Sequence, residues 1–300
     1  MRISGSGLRD VGICSFQSGG FLIHFRNRRL FWLLLAVAGF FPKTALSADP
    51  QPDPDLDESE TAIQKAAREL VQSIDLVAVI GTKREELELL KQPVLRFGDV
   101  ERANDKGSVW IWQRAGQPQA IMELYRGADG RSWIEVIHSL SADGLEGNFG
   151  NGVPRWIPVH PGVEWQKFPD APTPAEGTAS RARQMKELAQ QFSAHEFWDP
   201  ENSRYELRLL IRPVHTYSKS SSGRLDGALF LLCHGTNPEV PLLIESVDDG
   251  AGPRFRYALA RLGHAELHVS LDGKEVWHKD RVEKTDVRDP YWLHFHSAAP

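Results

Sequence analysis

From Arg204 to Trp277 the chain is a series of short apolar stretches cut by turns. In Arg204–Arg212, Tyr205, Leu207, Leu209 and Ile211 alternate with Arg204, Glu206, Arg208 and Leu210. Side chains of a strand point to opposite faces with period two, so this pattern predicts a strand with one buried face. Phe255, Tyr257 and Leu259 alternate with Arg254, Arg256 and Ala258, and Leu267, Val269 and Leu271 with Glu266, His268 and Ser270. Ala228–Cys233 is continuously apolar, as in a strand covered on both sides, and Leu242–Ile244 is a further short strand. Gly235-Thr236-Asn237-Pro238, Asp248–Pro253 and the serine-rich 218–224 supply turns. Asp272-Gly273 is a tight hairpin signal ahead of Val276 and Trp277. These strands form an antiparallel meander or one wall of a sandwich.

Upstream the period changes. Ile63, Ala66, Ala67, Leu70 and Ile74 share one helical face, with Asp57 and Glu60 spaced as in a capping box. Lys83–Lys91 reads as a second short helix stopped by Pro93. Val94–Phe97, Ser108–Arg114, Ala120–Tyr125 and Ser132–Leu140 read as strands. Gly144–Pro154 reads as a glycine-rich loop, without the strand-to-helix setting of a phosphate cradle. Ala182, Met185, Leu188, Ala189 and Phe192 predict a helix over Thr178–Phe197. The expected fold is α+β: an N-terminal helix plus antiparallel sheet, a second helix, then an antiparallel β-meander or sandwich-like C-terminal half. The expected divisions are 1–48 as an address, 49–58 as an acidic Pro-rich linker, 59–200 as an α+β domain, 201–284 as a β domain and 285–300 as a tail.

The address reading rests on order. Arg26, Arg28 and Arg29 precede the apolar Leu30–Phe41, and the small-residue stretch Thr44–Ala48 follows. That is the n-, h- and cleavage-region sequence of an export signal. Twelve apolar residues fall short of the roughly 20 that span a bilayer. The alternative is an uncleaved anchor, the only membrane contact expected. The expected location is periplasmic or extracellular. Residues 1–48 hold six of the 35 Lys/Arg and one of the 40 Asp/Glu, so cleavage leaves 29 bases against 39 acids. That balance argues against a nucleic-acid partner. Hydrophobic residues make up 41% of the chain, enough for a packed core. Cys14 lies in the address, leaving Cys233 alone in an apolar setting, an inert buried thiol.

Candidate chemistry is sparse, and no motif calls for a cofactor. His294-Phe295-His296 would place two imidazoles on one strand face, with Asp289 as a further oxygen ligand, but a third ligand is not identifiable. His195-Glu196 begins like a helical zinc motif and lacks its second His. His215 and Tyr217 beside Ser218–Ser222 form a weak hydrolase-like grouping. Asp248 and Asp249 suit either a calcium ion or an ordinary turn. Trp110 and Trp112 share a strand face; exposed they would stack on sugars, and buried they would be core, which Val109 and Ile111 opposite favour.

Several stretches, Asp129–Ser141 (DGRSWIEVIHSLS), Arg183–Ala194 (RQMKELAQQFSA), Tyr205–Tyr217 (YELRLLIRPVHTY) and Asp226–Glu245 (DGALFLLCHGTNPEVPLLIE), resemble a family of uncharacterised exported proteins of planctomycete bacteria over about residues 60–280. The resemblance implies export and carries no activity to transfer. Two function classes follow from the sequence. One is a noncatalytic module binding a glycan or an envelope protein or other envelope component. The other is a secreted hydrolase in which His138, His215 or His234 meets a carboxylate.

Overall fold

The computed structural model describes residues 61–99, 104–127, 132–150, 152–218, 223–248, 250 and 252–296. The expected address and linker, the Asp57–Glu60 cap, the 219–222 part of the serine-rich loop and Asp249 lie outside them. The fold is α+β, mostly antiparallel β, and it is built from one unit used twice.

In the first copy α1 (Ala62–Gln72) is followed by β1 (Asp75–Ile80), β2 (Lys83–Glu86), β3 (Glu88–Leu89), β4 (Leu95–Asp99), β5 (Asn104–Arg114), β6 (Gln117–Arg126), β7 (Trp133–Ser139) and β8 (Gly144–Asn148). The two-residue β9 (Gln166–Lys167) precedes the second copy. There α2 (Thr178–Ala189) is followed by β10 (Phe192–Phe197), β11 (Arg204–Leu209), β12 (His215–Ser218), β13 (Arg224–His234), β14 (Asn237–Val247), β15 (Arg254–Leu259) and β16 (Glu266–Leu271). Strands β17 (Lys274–Lys279) and β18 (Tyr291–His296) complete the order.

Register proves the repeat. Leu95–Val109, Arg96–Ser108 and Phe97–Gly107 pair in the first copy; His215–Leu229, Thr216–Ala228 and Tyr217–Gly227, each 120 residues on, pair in the second. The β5–β6 hairpin shifts register between Trp112 and Gln113, and β13–β14 shifts at the matching Leu232 and Cys233. Leu90 N–H donates to Ile111 O as Leu210 N–H does to Leu231 O. The sequence carries the same echo: Leu89-Leu90-Lys91-Gln92-Pro93-Val94 against Leu209-Leu210-Ile211-Arg212-Pro213-Val214.

In both copies the helix packs on its own sheet through apolar positions. Ala67 and Val71 of α1 join Trp110, Trp112 and Met122; Met185, Leu188 and Ala189 of α2 join Phe230, Leu232 and Leu242. Thr61 caps α1, its hydroxyl accepting from Gln64 N–H while the Gln64 side chain accepts from Thr61 N–H. The faces opposite the helices, including Ile111, Ile121, Leu229, Leu231 and Leu243, meet in a third cluster. That third core joins the copies, and Pro54–Pro300 form one compact unit.

Five expectations change. Lys83–Lys91 holds the two short strands β2 and β3 in place of a helix, because Leu87 N–H bonds Leu76 O and Glu88–Leu89 pair with β5; helix-forming residues yield to an available sheet edge. Gly144–Pro154 includes β8, paired with β1. Helix α2 ends at Ala189, after which Phe192–Phe197 alternates buried and exposed as a strand. The expected boundary at 200 falls between β10 and its hydrogen-bonded neighbour β11. The expected 285–300 tail contains β18, paired along its length with β7. No helix among the described residues is long and apolar enough to cross a membrane.

Candidate ligand cavity between the repeats

Each copy lends its trailing segment to the other. After β8, Trp156 pairs with Gly147, and the chain then crosses so that β9 pairs with β15 of the second copy. After β17, the corresponding crossing brings β18 onto β7 of the first copy. Where residues 161–166 and 282–291 pass each other, a cavity of about 310 Å³ opens. Ligand cavities range upward from about 300 Å³, so this one suits a single small molecule.

Its walls come from both copies. His138 stands at the end of β7. Its Nε2 lies 2.9 Å from Gly162 O. A carbonyl accepts only, so Nε2 carries the hydrogen and Nδ1 is bare. A Cβ on Gly162 would lie 1.7 Å from Ser139 O, so only glycine permits this approach. Burial pushes the His138 pKa down to about 4, leaving the ring neutral at neutral pH. Arg261, just beyond β15, is buried and lines the cavity. It donates through Nε to Gly263 O at 2.9 Å, through Nη1 to Asp280 O at 3.0 Å and through Nη2 to Ala265 O at 2.7 Å. Its guanidinium lies 5.0 Å from the Tyr291 ring centroid. Burial lowers the Arg261 pKa and raises that of Tyr291. Arg261 thus ties together the strand end and both ends of the β16–β17 hairpin, and its donors serve the framework.

The surface open to a ligand is of another kind. Trp277 supplies aromatic area, and Lys279, Lys284, Glu164 and Asp289 add two positive and two negative groups. Lys279 Nζ lies 5.8 Å from the Trp277 ring centroid, at the outer limit of a cation–π contact and easily displaced.

The expected site residues disperse. Trp110 and Trp112 do share a face, but it is the core face; they are 2% and 1% exposed, so neither offers a sugar platform. Trp110 Nε1 donates to Ser108 Oγ. Of the three histidines proposed for hydrolysis, only His138 lines this cavity. His215 Nε2 bonds Gly116 O at 2.8 Å, and His234 packs against the Trp198 and Tyr205 rings. Tyr217 OH donates to the buried Glu245, not to a serine. His294 stacks on Trp292, while His296 lies 3.9 Å from Glu135, and Asp289 accepts from Asp286 N–H. His195 sits on strand β10, not on a helix. Cys233 is buried, and burial raises its thiol pKa well above the ordinary range. The sequence reading missed Gly162, Arg261 and Trp277, which stand alone locally; only the repeat would have revealed that crossing segments bring them together.

Two buried groups of β7 titrate in opposite senses. His138 falls to about 4 by burial, so the unfolded chain takes up its proton first. Its contribution is complete above about pH 6.5 and is lost as pH falls toward 4. Glu135 rises to about 7, also by burial. Its contribution is complete below about pH 4.5 and is lost as pH rises toward 7. Each shift corresponds to about 3 kcal/mol. Urea unfolding at pH 4.5 and 7.5 checks this: Glu135→Gln is stabilised mainly at pH 7.5, and His138→Gln loses less stability than wild type on acidification. Parallel pH profiles for both variants and wild type would contradict the assignment.

Comparison with protein-family models, with curated proteins and with solved structures finds no match for this chain.

Proposed function

We propose that this is an exported, noncatalytic binding module that holds a glycan or another small polar component of the cell envelope in the cavity between its repeats. The observation that carries the reading is the cavity where the two exchanged segments cross, with aromatic area and polar groups drawn from both copies. Three cations (Arg261, Lys279, Lys284) face two carboxylates (Glu164, Asp289) in the lining, and with Arg261 committed to backbone carbonyls the remaining charges are even, which suits an uncharged, hydroxyl-rich ligand. Trp277 offers the flat apolar surface that one face of a sugar ring covers, while the buried Tyr291, with Arg261 over its ring, forms the wall behind it. The bonds of His138 and Arg261 to backbone carbonyls support a framework role for both. Export rests on the pattern of residues 1–48, and the planctomycete resemblance supports the same location.

Calorimetric titration of the purified protein with neutral, N-acetylated and acidic mono- and disaccharides tests the reading. One class binds at 1:1 stoichiometry, and Trp277→Ala weakens it at least tenfold. No heat with any class at millimolar concentration, or an unchanged affinity in Trp277→Ala, would overturn it.

A further inference from the structure

The outer face of β10, β16 and β17 carries a row of imidazoles. His195 and His268 are register partners across β10 and β16, and His268 and His278 across β16 and β17. The ring centroids are 4.6 Å and 4.4 Å apart, with interplanar angles of 3° and 20°. Two carboxylates hold the central ring. His268 Nδ1 lies 2.8 Å from Glu275 Oε2, and His268 Nε2 lies 3.0 Å from Glu266 Oε1.

We propose that Glu266, His268 and His278 form a site for a borderline divalent transition ion of the zinc type, with Glu275 orienting His268. One donor atom from each of the three lies within 4.8 Å of the other two. Three protein ligands of mixed nitrogen and oxygen type, with a fourth position open to water, suit zinc. Glu266 and His268 are two apart on one strand and therefore project from one face. His278 enters from the neighbouring strand; its side chain is 40% exposed and has room to turn its ring edge toward the ion. Zn–N and Zn–O bonds of about 2.1 Å set nitrogen and oxygen ligands about 3.4 Å apart across a tetrahedral ion. The present 3.0 Å between His268 Nε2 and Glu266 Oε1 opens to that value with a small rotation. The Glu275 contact supplies the carboxylate that holds the far nitrogen of a ligating histidine and fixes its tautomer.

The first copy shows that the fold does not require these residues. The Val77–Glu146 pair there corresponds to His195–His268. Glu146 is held by Arg84 at 2.5 Å and Arg155 at 2.7 Å, an ordinary ion-pair face. The β17 hairpin strand that carries His278 presents Trp277 and Lys279 to the ligand cavity, so metal binding fixes a strand that also forms a cavity wall.

Calorimetry of the full protein with Zn²⁺, and visible absorption with Co²⁺, test the site. The expected result is one ion per chain, with the intense cobalt bands of four-coordinate geometry. His268→Gln abolishes binding, and His278→Gln and Glu266→Gln weaken it at least tenfold. Glu275→Gln weakens it about 10- to 100-fold while leaving the stoichiometry at one. Circular dichroism melts of the metal-free variants stay close to wild type, because the changed groups lie on the sheet's outer face. Binding that survives both His268→Gln and His278→Gln, binding lost instead in His294→Gln, or no binding at 100 µM Zn²⁺ would each overturn the proposal.

Discussion

A chain ending at Pro290 is expected not to fold. Strand β18 pairs with β7 from Tyr291–His138 to His296–Trp133, and Tyr291 and Trp292 are each 5% exposed. Two aromatics of this kind bury about 300–500 Å², roughly 8–12 kcal/mol at 25 cal/mol per Å² as an upper estimate. That is comparable with the whole stability of a typical domain, about 5–15 kcal/mol. The loss would also bare the β7 edge, an open template for aggregation. The milder Trp292→Ala should cost about 3–5 kcal/mol. Urea denaturation followed by circular dichroism decides: the short chain should show no cooperative transition. A cooperative transition within 1 kcal/mol of wild type would show that β18 is dispensable.

The second large effect lies at two glycines that the repeat makes equivalent. A Cβ on Gly227 would stand 2.2 Å from the Tyr217 ring, and one on Gly107 2.2 Å from the Phe97 ring. In each copy the aromatic side chain folds across the strand opposite it and covers a glycine. Adding a methyl group forces the ring aside, at about 1–3 kcal/mol for overpacking of this kind. Gly227→Ala should be the costlier of the two. Tyr217 is anchored by its hydroxyl bond to Glu245 and by Arg224, 5.0 Å over its ring. Phe97 makes an edge contact with Tyr125 at 6.3 Å and has no hydroxyl to lose. Gly107→Ala combined with Phe97→Ala should cost less than the sum of the two, by at least about 1 kcal/mol, because the clash disappears with the ring. Strict additivity in chemical denaturation would show that the ring does not oppose the methyl group.

Local patterns announced most of the elements. The stretches Val94–Phe97, Ser108–Arg114, Ala120–Tyr125 and Ser132–Leu140 coincide with β4 to β7 within a few residues. The Asp272-Gly273 hairpin is present, with φ of 48° and 77° at its two central residues. What the sequence hid was long-range. Lys83–Lys91 has helical composition, yet an edge of β1 and one of β5 were there to be paired. The 291–296 alternation was visible, but nothing local shows that β7, more than 150 residues earlier, needs an edge partner. The candidate cavity was illegible for the same reason. Its residues come from crossings whose partners are set by the duplication, and the 120-residue echo was the one available clue. The histidine row was equally scattered: His195, His268 and His278 become neighbours only through β10–β16–β17 pairing.

Hydrogen–deuterium exchange of the full protein, with and without a saturating disaccharide from the binding class, tests the central claim most directly. The account predicts slower exchange in 161–166 and 279–291 together, since both crossing segments wall one cavity. Protection confined to one copy, or confined to the outer face of β10 and β16, would contradict a ligand held between the repeats.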